Sequence, residues 1–247
     1  MVDEVVEKEI ALKSLTNKVA VITGASSGIG RAIAERFALA GCAVVLAGRN
    51  QKKLADVAKE IEARRGRAHA VACDVTQEAD VQHLVEEAVR RYGGLDYMIN
   101  NAGVFHSKEL ANTTTDEYDT VVDTNLKGVY LGCREAFKVM KKAGAGHILN
   151  ISSVAGKEAW AGLGLYGASK FAVMGLTQAL ADEGTPYGIK VTALCPGLVN
   201  TPMMAQTGVA TDEMIQPDDV AASALYLVQL PKNVVIRELV MERKGAD

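Results

Sequence analysis

The order of patterns along the chain constrains its fold most strongly, because short apolar runs alternate with longer segments of helical periodicity. Seven runs predict β-strands, at Val19–Thr23, Ala43–Ala47, His69–Cys73, Tyr97–Asn100, His147–Ser152, Lys190–Cys195 and Val234–Val240. The helices between them are predicted to begin near Ile29, Lys52, Glu78, Thr115, Leu165 and Pro217. Alternating strands and helices are typical of βαβ units on a parallel sheet. We therefore expect an α/β, three-layer, doubly wound fold with a seven-stranded parallel sheet and helices on both faces.

Composition limits the domain count and the class of partner. The 247 residues contain no internal linker or repeat, so we predict a single domain over 15–247, preceded by an extension over 1–14. That extension is either frayed or a short amphipathic helix that docks on a partner subunit. A net charge of -3 gives no electrostatic reason to expect nucleic acid or an anionic membrane as partner.

Scattered cysteines and histidines argue against a metal or disulfide framework. The four cysteines form no Cys-x-x-Cys pair, and the four histidines are far apart in the sequence. No stretch approaches the roughly 20 apolar residues that span a bilayer. Reduced thiols in a cytoplasmic protein fit this pattern best.

A glycine-rich segment follows the first predicted strand. It reads Thr23-Gly24-Ala25-Ser26-Ser27-Gly28-Ile29-Gly30 and opens a predicted helix. Glycine lets the backbone turn tightly and approach a pyrophosphate, and the free N–H groups of a helix N-terminus favour an anion. This segment therefore predicts a phosphate-binding turn.

A second constellation predicts acid–base chemistry. Tyr166 and Lys170 are four residues apart and share one helix face, while Ser153 lies thirteen residues before Tyr166. A neighbouring cation is expected to lower the pKa of the phenol, which makes it a usable proton donor at a carbonyl. Ser153, rather than Ser152, is expected to stabilise the developing charge on the same oxygen.

With Asn100-Asn101-Ala102-Gly103, Asn125 and Pro196-Gly197 in order along the chain, the sequence resembles the short-chain dehydrogenase/reductase family. The resemblance covers roughly residues 15–240 and implies a Rossmann-type domain with an NAD(P)-dependent oxidoreductase activity. It implies a catalytic set of Asn125, Ser153, Tyr166 and Lys170, with Asn125 anchoring a water and Lys170 holding the ribose of nicotinamide. It also implies a homotetramer or homodimer, paired through the helices that begin near Thr115 and Leu165.

The resemblance places the cofactor along the carboxyl ends of the strands. The implied contacts are Gly24, Ser26, Ser27, Gly28, Ile29, Gly30, Arg49, Asn50, Asp74, Val75, Asn101, Ala102, Gly103, Tyr166, Lys170, Pro196, Gly197, Val199 and Thr201. Enzymes that select NAD place an acidic residue at the end of the second strand. Gly48 stands there and Arg49 follows, so NADP(H) is favoured over NAD(H).

Residues expected beside the reacting carbonyl are mainly apolar. The predicted substrate-binding set is Ser153, Phe105, Trp160, Leu198 and Met203. The leading hypothesis is reduction of a small-molecule carbonyl, or oxidation of the alcohol, with Tyr166 as acid or base. A 3-oxoacyl-[acyl-carrier-protein] reductase is the alternative, and a catalytically silent cofactor-sensing regulator is a third. The sequence leaves the substrate open.

Overall fold

Seven parallel strands form one sheet in the computed structural model, which describes residues 14–205 and 208–245. The strands are β1 (Val19–Thr23), β2 (Ala43–Gly48), β3 (Arg67–Ala72), β4 (Tyr97–Asn100), β5 (Gly146–Ile151), β6 (Ile189–Pro196) and β7 (Glu238–Met241). Their order in the sheet is β3-β2-β1-β4-β5-β6-β7. The chain order reverses between β1 and β4, and open α/β sheets bind ligands at the carboxyl ends of strands beside such a reversal.

Helices cover both faces of this sheet, so the predicted three-layer fold is confirmed. They are α1 (Gly28–Leu39), α2 (Gln51–Ala63), α3 (Glu78–Tyr92), α4 (Thr115–Val122), α5 (Gly128–Ala143), α6 (Gly164–Gly184) and α7 (Pro217–Gln229). Side chains of β1 alternate between two cores: Ile22 packs with α1, α2 and α7, whereas Val21 packs with α3, α5 and α6. Every residue of β1 is buried, which explains its continuous apolar run.

Two predicted elements differ from the structure. The last strand is predicted at Val234–Val240 but begins at Glu238. Lys190 Nζ donates to the carbonyl oxygens of Leu230, Pro231 and Val234 at 3.2–3.3 Å, which stabilises a turn there. The apolar residues at 234 and 235 therefore lie in an exposed connection.

The helix predicted near Thr115 begins there but continues through a π-helical turn, Asp123–Lys127, into α5. A capping box fixes its start, since Thr114 Oγ1 accepts from Glu117 N and the Glu117 carboxylate accepts from Thr114 N. The π turn contains Asn125, and such turns are frequent at functional sites. The extension predicted over 1–14, with its alternative of a short amphipathic helix, lies outside the described residues except for Ser14.

Candidate active site

A cleft of about 510 Å³ opens along the carboxyl ends of strands β1 to β6. Its volume is in the range of small-molecule sites. Residues after β2 and β3 form one end, which we call the nucleotide end. Residues after β5 and β6 form the other, which we call the reacting end.

The glycine-rich turn is shaped to approach a ligand closely. Gly24 and Gly28 have φ values of +66° and +55°, a region that favours glycine. A Cβ on Gly24 would lie 2.8 Å from Asn101 Nδ2. Helix α1 starts at Gly28 with no acidic residue in its first turn and no side-chain cap from Ser27. Its first N–H groups are thus available to a phosphate, as a dinucleotide requires.

Thr23 joins this turn to the loop that follows β4. Its Oγ1 accepts hydrogen bonds from Asn101 N at 2.9 Å and Ala102 N at 3.0 Å. Asn101 Nδ2 in turn donates to the Thr23 carbonyl at 2.9 Å. These bonds hold two loops together at the middle of the cleft.

Arg49 is the cation of the nucleotide end. It is exposed, and within the described part of the chain its guanidinium has no hydrogen bond or ion pair. Gly48, just before it, carries no side chain that could repel an anion. Asp74 also lines this end, but its Oδ1 accepts from the amide and the hydroxyl of Thr76.

Ser153, Tyr166 and Lys170 meet at the reacting end. Ser153 follows β5, whereas Tyr166 and Lys170 project from successive turns of α6. Ser153 forms a side-chain hydrogen bond with Tyr166, and Lys170 Nζ lies 5.7 Å from the centroid of the Tyr166 ring. Lys170 Nζ donates to the Ile151 carbonyl at 3.0 Å. Ser152 points elsewhere, since its Oγ donates to the Lys170 carbonyl.

Burial shifts the pKa values of Tyr166 and Lys170. For Tyr166 the shift is opposite to the one expected from the sequence. Burial raises the pKa of Tyr166 above its usual value. The hydrogen bond with Ser153 lowers that pKa and so opposes the effect of burial, whereas Lys170 makes no contribution to the shift. Burial also lowers the pKa of Lys170 to about 8. The net shift of the Tyr166 pKa is therefore upwards, and the lowering expected from Lys170 is not found. Desolvation of the phenol, which disfavours its charged form, causes this upward shift.

Comparisons with known proteins agree with this geometry. The sequence matches the short chain dehydrogenase family over residues 18–211. An uncharacterized oxidoreductase of Staphylococcus aureus (strain USA300) is 39% identical over 225 residues, which cover 91% of this chain and 96% of that protein.

This chain belongs to the short-chain dehydrogenase/reductase family.

Two solved structures of the family are similar over most of their length. One is a 3-ketoacyl-(acyl-carrier-protein) reductase from Brucella melitensis, complexed with NADH. It is 35% identical with a TM-score of 0.86, covering 93% of this chain and 98% of its own. The other is a single-residue variant of actinorhodin polyketide ketoreductase with NADPH. It is 33% identical with a TM-score of 0.83, and the match covers 91% of this chain and 95% of its own. The chain is thus an oxidoreductase of this family.

Most residues that the sequence assigned to the site line the cleft. Gly30, Asn50 and Asn125 do not. A Cβ on Gly30 would lie 2.5 Å from the Gly24 carbonyl oxygen. Gly30 therefore allows α1 to pack closely against the glycine-rich turn. The Asn50 side chain accepts from Lys53 N at 3.0 Å and caps α2. Both residues support the cleft from outside it.

Asn125 lies behind the cleft, fully buried in the π turn. Its Oδ1 accepts from Val104 N at 2.8 Å, and its Nδ2 donates to the Val104 carbonyl and to Ser169 Oγ. Ser169 Oγ donates to the Tyr166 carbonyl at 2.6 Å. Asn125 therefore ties the loop after β4 to the first turn of α6, which carries Tyr166.

Several cleft residues carried no sequence signal. Among them are Cys73, Val104, Thr124, Ile151 and Pro202. Each lies within two residues of one that had been singled out, such as Asp74, Asn125 or Ser153. Their position at strand ends or beside these motifs is the one signal that could have identified them.

All four cysteines are buried and free. Across residues 14–205 and 208–245, no group of three or more His, Cys, Asp or Glu side chains is placed to hold a metal ion. Over the same ranges, no helix has both the length and the hydropathy needed to cross a bilayer.

Proposed function

We propose that the protein is an NADP-dependent oxidoreductase that reduces a small-molecule carbonyl, or oxidises the corresponding alcohol. One observation carries the proposal: Ser153, Tyr166 and Lys170 converge in the same cleft as the glycine-rich turn. A nicotinamide nucleotide held at that turn supplies or accepts the hydride. The chain's own groups bind the nucleotide, orient the carbonyl and move the proton.

Tyr166 donates the proton to the carbonyl oxygen. Because its pKa is raised by burial, the phenol stays protonated at neutral pH, which is the form that reduction needs. Ser153 donates a hydrogen bond to the same oxygen as negative charge develops on it. In the oxidative direction Tyr166 must first lose its proton, so oxidation should gain from alkaline pH.

Lys170 orients the ribose next to nicotinamide and offers a cation beside Tyr166. Its side chain is buried and lines the cleft, and one of its three donors is used by the Ile151 carbonyl. Asn125 acts through its neighbours, because its amide holds Val104 and Ser169 rather than the substrate. It is a positioning residue.

The preference for NADP(H) rests on Arg49. A free guanidinium at the end of β2 can form a bidentate pair with a 2′-phosphate, and Gly48 places no carboxylate against it. The relatives do not decide the matter, since one was solved with NADH and the other with NADPH.

A 3-oxoacyl-[acyl-carrier-protein] reductase remains the second candidate because a relative bears that name. Carrier proteins of this kind are acidic, so their reductases need free cations near the cleft mouth. Two cations close in sequence to cleft residues, Lys108 and Lys157, are instead paired with Glu117 and Glu238. This pairing favours a free small molecule. A silent regulator is disfavoured because the reacting groups are all present.

We also propose a homodimer or homotetramer in the cytoplasm. Between residues 164 and 179, the exposed positions of α6 are uncharged: they are Gly164, Ala168, Phe171, Gly175, Gln178 and Ala179, and Phe171 is 44% exposed. A helix face without charge is usually covered by a partner. Buried free thiols fit a reducing compartment.

The test is NADPH oxidation by the purified protein with a panel of aldehydes, diketones, 3-ketoesters and acyl thioesters. We expect turnover of free ketones or aldehydes that exceeds turnover of acyl thioesters. Consumption of NADPH only with carrier-linked 3-ketoacyl groups would move the assignment to the second candidate. Absence of turnover with every carbonyl, despite tight NADPH binding, would favour the regulator.

A further inference from the structure

The reacting end of the cleft is lined by large apolar side chains, several of them open to solvent. Phe105, Trp160 and Met203 are 37%, 43% and 49% exposed, and Leu163 and Val154 lie beside them in the lining. The Phe105 ring meets the Tyr166 ring edge-on, with centroids 5.1 Å apart. Large apolar side chains are usually buried in the core of a protein. Their exposure beside the phenol therefore indicates a surface that can bind an apolar group of a ligand.

The described lining of the cleft contains three charged side chains. They are Arg49, Asp74 and Lys170. Arg49 follows β2, which is three strand positions away from β5 and Ser153. With neighbouring strands about 4.8 Å apart, Arg49 lies roughly 14 Å from the reacting end. Lys170 is buried and already bonded to the Ile151 carbonyl.

Two lysines close in sequence to cleft residues are directed to carboxylates outside the cleft lining. Lys108 Nζ lies 3.0 Å from Glu117, and Lys157 Nζ lies 2.8 Å from Glu238. His106 Nε2 also faces Glu117, at 3.8 Å. An anionic group beside the reacting carbonyl would therefore lose water without gaining a partner, which is unfavourable.

From this arrangement we propose that the substrate is an uncharged ketone or aldehyde with an apolar, preferably aromatic, substituent on the carbonyl, and that carboxylated and phosphorylated carbonyl compounds are excluded. The inference rests on the proposed function and adds the substrate class. Phe105 and Trp160 flank the apolar substituent, and Ser153 and Tyr166 bind the carbonyl oxygen. Selection comes as much from the missing cation as from the apolar contacts.

Three probes of nearly equal shape test the proposal: 1-phenyl-1,2-propanedione, methyl phenylglyoxylate and phenylglyoxylate. They share the ring and the reacting carbonyl, but only the last is anionic. Trp160 is the only tryptophan of the chain, so quenching of its fluorescence reports binding without any need for turnover. Both quenching, with NADP⁺ present, and NADPH oxidation are measured for each probe.

We expect the two neutral probes to bind at least tenfold more tightly than phenylglyoxylate, and to be reduced with at least tenfold higher kcat/KM. Equal or tighter binding of phenylglyoxylate would overturn the inference, as would failure of all three to quench Trp160. Selective binding of the neutral probes with no NADPH oxidation would uphold the inference while contradicting the proposed function.

A charge introduced at the reacting end provides the complementary test. Met203→Arg should raise binding of phenylglyoxylate relative to its methyl ester by about tenfold. Leu39→Arg adds the same charge at a position that is 81% exposed and outside the cleft, and should leave the ratio unchanged. An equal change in both variants would show that net charge decides selectivity and would overturn the inference.

Discussion

The two ends of the cleft are built on different principles. The nucleotide end relies on backbone: glycines at positive φ, the N-terminus of α1 and one exposed guanidinium. The reacting end relies on buried side chains, with Lys170 5% and Ser153 8% exposed. Exposed cations and backbone groups bind a charged ligand at little cost to stability. Buried titratable groups reduce stability, but their protonation states are set by desolvation.

At the nucleotide end, the largest expected effect is on the choice between the two cofactors. Arg49→Asp should lower the ratio of kcat/KM for NADPH to that for NADH by about 100-fold, because a bidentate charged pair is replaced by repulsion. Kinetics with both nucleotides measure the ratio. Arg64→Asp makes the same charge change on an exposed residue outside the cleft and should leave it unaltered. An unchanged preference in Arg49→Asp would remove the basis for assigning NADP(H).

Gly24→Ala should weaken NADPH binding by about 10-fold to 30-fold. Alanine is strained at the positive φ of this position, and its Cβ would collide with Asn101. Relief of this collision should move the turn away from the phosphates. Gly93→Ala is the matched control: its φ is +85° and a Cβ there meets nothing within 4 Å. Isothermal titration should show weaker binding only in the first variant. Comparable loss in both would mean that the turn is not shaped for the nucleotide.

The glycine-rich turn shows which features of the site could be predicted from the sequence. Glycines and strand-end residues act through the backbone, so their spacing already contains the geometry of the nucleotide end. The helix-capping role of Asn50 was not predicted, because a side chain that caps a helix and one that contacts a cofactor occupy the same loop position. The late start of β7 and the pKa of Tyr166 depend on packing, in one case around Lys190 and in the other around the phenol. Packing of this kind has no local sequence signature.

At the reacting end, Lys170→Met should stabilise the fold by about 2 kcal/mol at neutral pH. The folded-state pKa of about 8 lies below the unfolded value of 10.5, so a charged lysine opposes folding. This penalty is complete below pH 8 and disappears as the pH rises towards 10.5. The lost bond to the Ile151 carbonyl offsets part of the gain.

Urea unfolding of Lys170→Met at pH 7 and at pH 10 measures this effect. The stabilisation should shrink at the higher pH, whereas the exposed Lys142→Met should show no such change. Destabilisation of Lys170→Met at pH 7 would mean that the buried lysine supports the fold, and the contrast between the two ends would fail.

The smallest expected effect concerns His147, a buried titratable group at the opposite end of β5. Thr192 Oγ1 donates to the Ile236 carbonyl, so His147 Nε2–H must donate to Thr192, and Nδ1 has no hydrogen-bond partner among the described residues. Burial, with a contribution from Lys190, lowers the pKa of His147 from 6.5 to about 3. The neutral imidazole is thus compatible with folding and the charged one is not.

Stability should therefore fall as the pH drops below 6.5, by about 1 kcal/mol between pH 7 and pH 5.5 from this residue. His147→Gln should lose that part of the pH dependence, and His69→Gln, at a partly exposed position, should keep it. A pH dependence identical to wild type in His147→Gln would contradict the assignment. The residue has no place in catalysis, so kcat should change little where the variant is folded.

Turnover by Tyr166→Phe tests most directly the claim that the buried reacting end performs the chemistry. Removing a single hydroxyl should lower kcat for ketone reduction by about 10²–10⁴-fold, since the proton donor is lost, while the Kd for NADPH changes less than about threefold. A variant that binds NADPH normally and retains a kcat close to wild type would contradict the account.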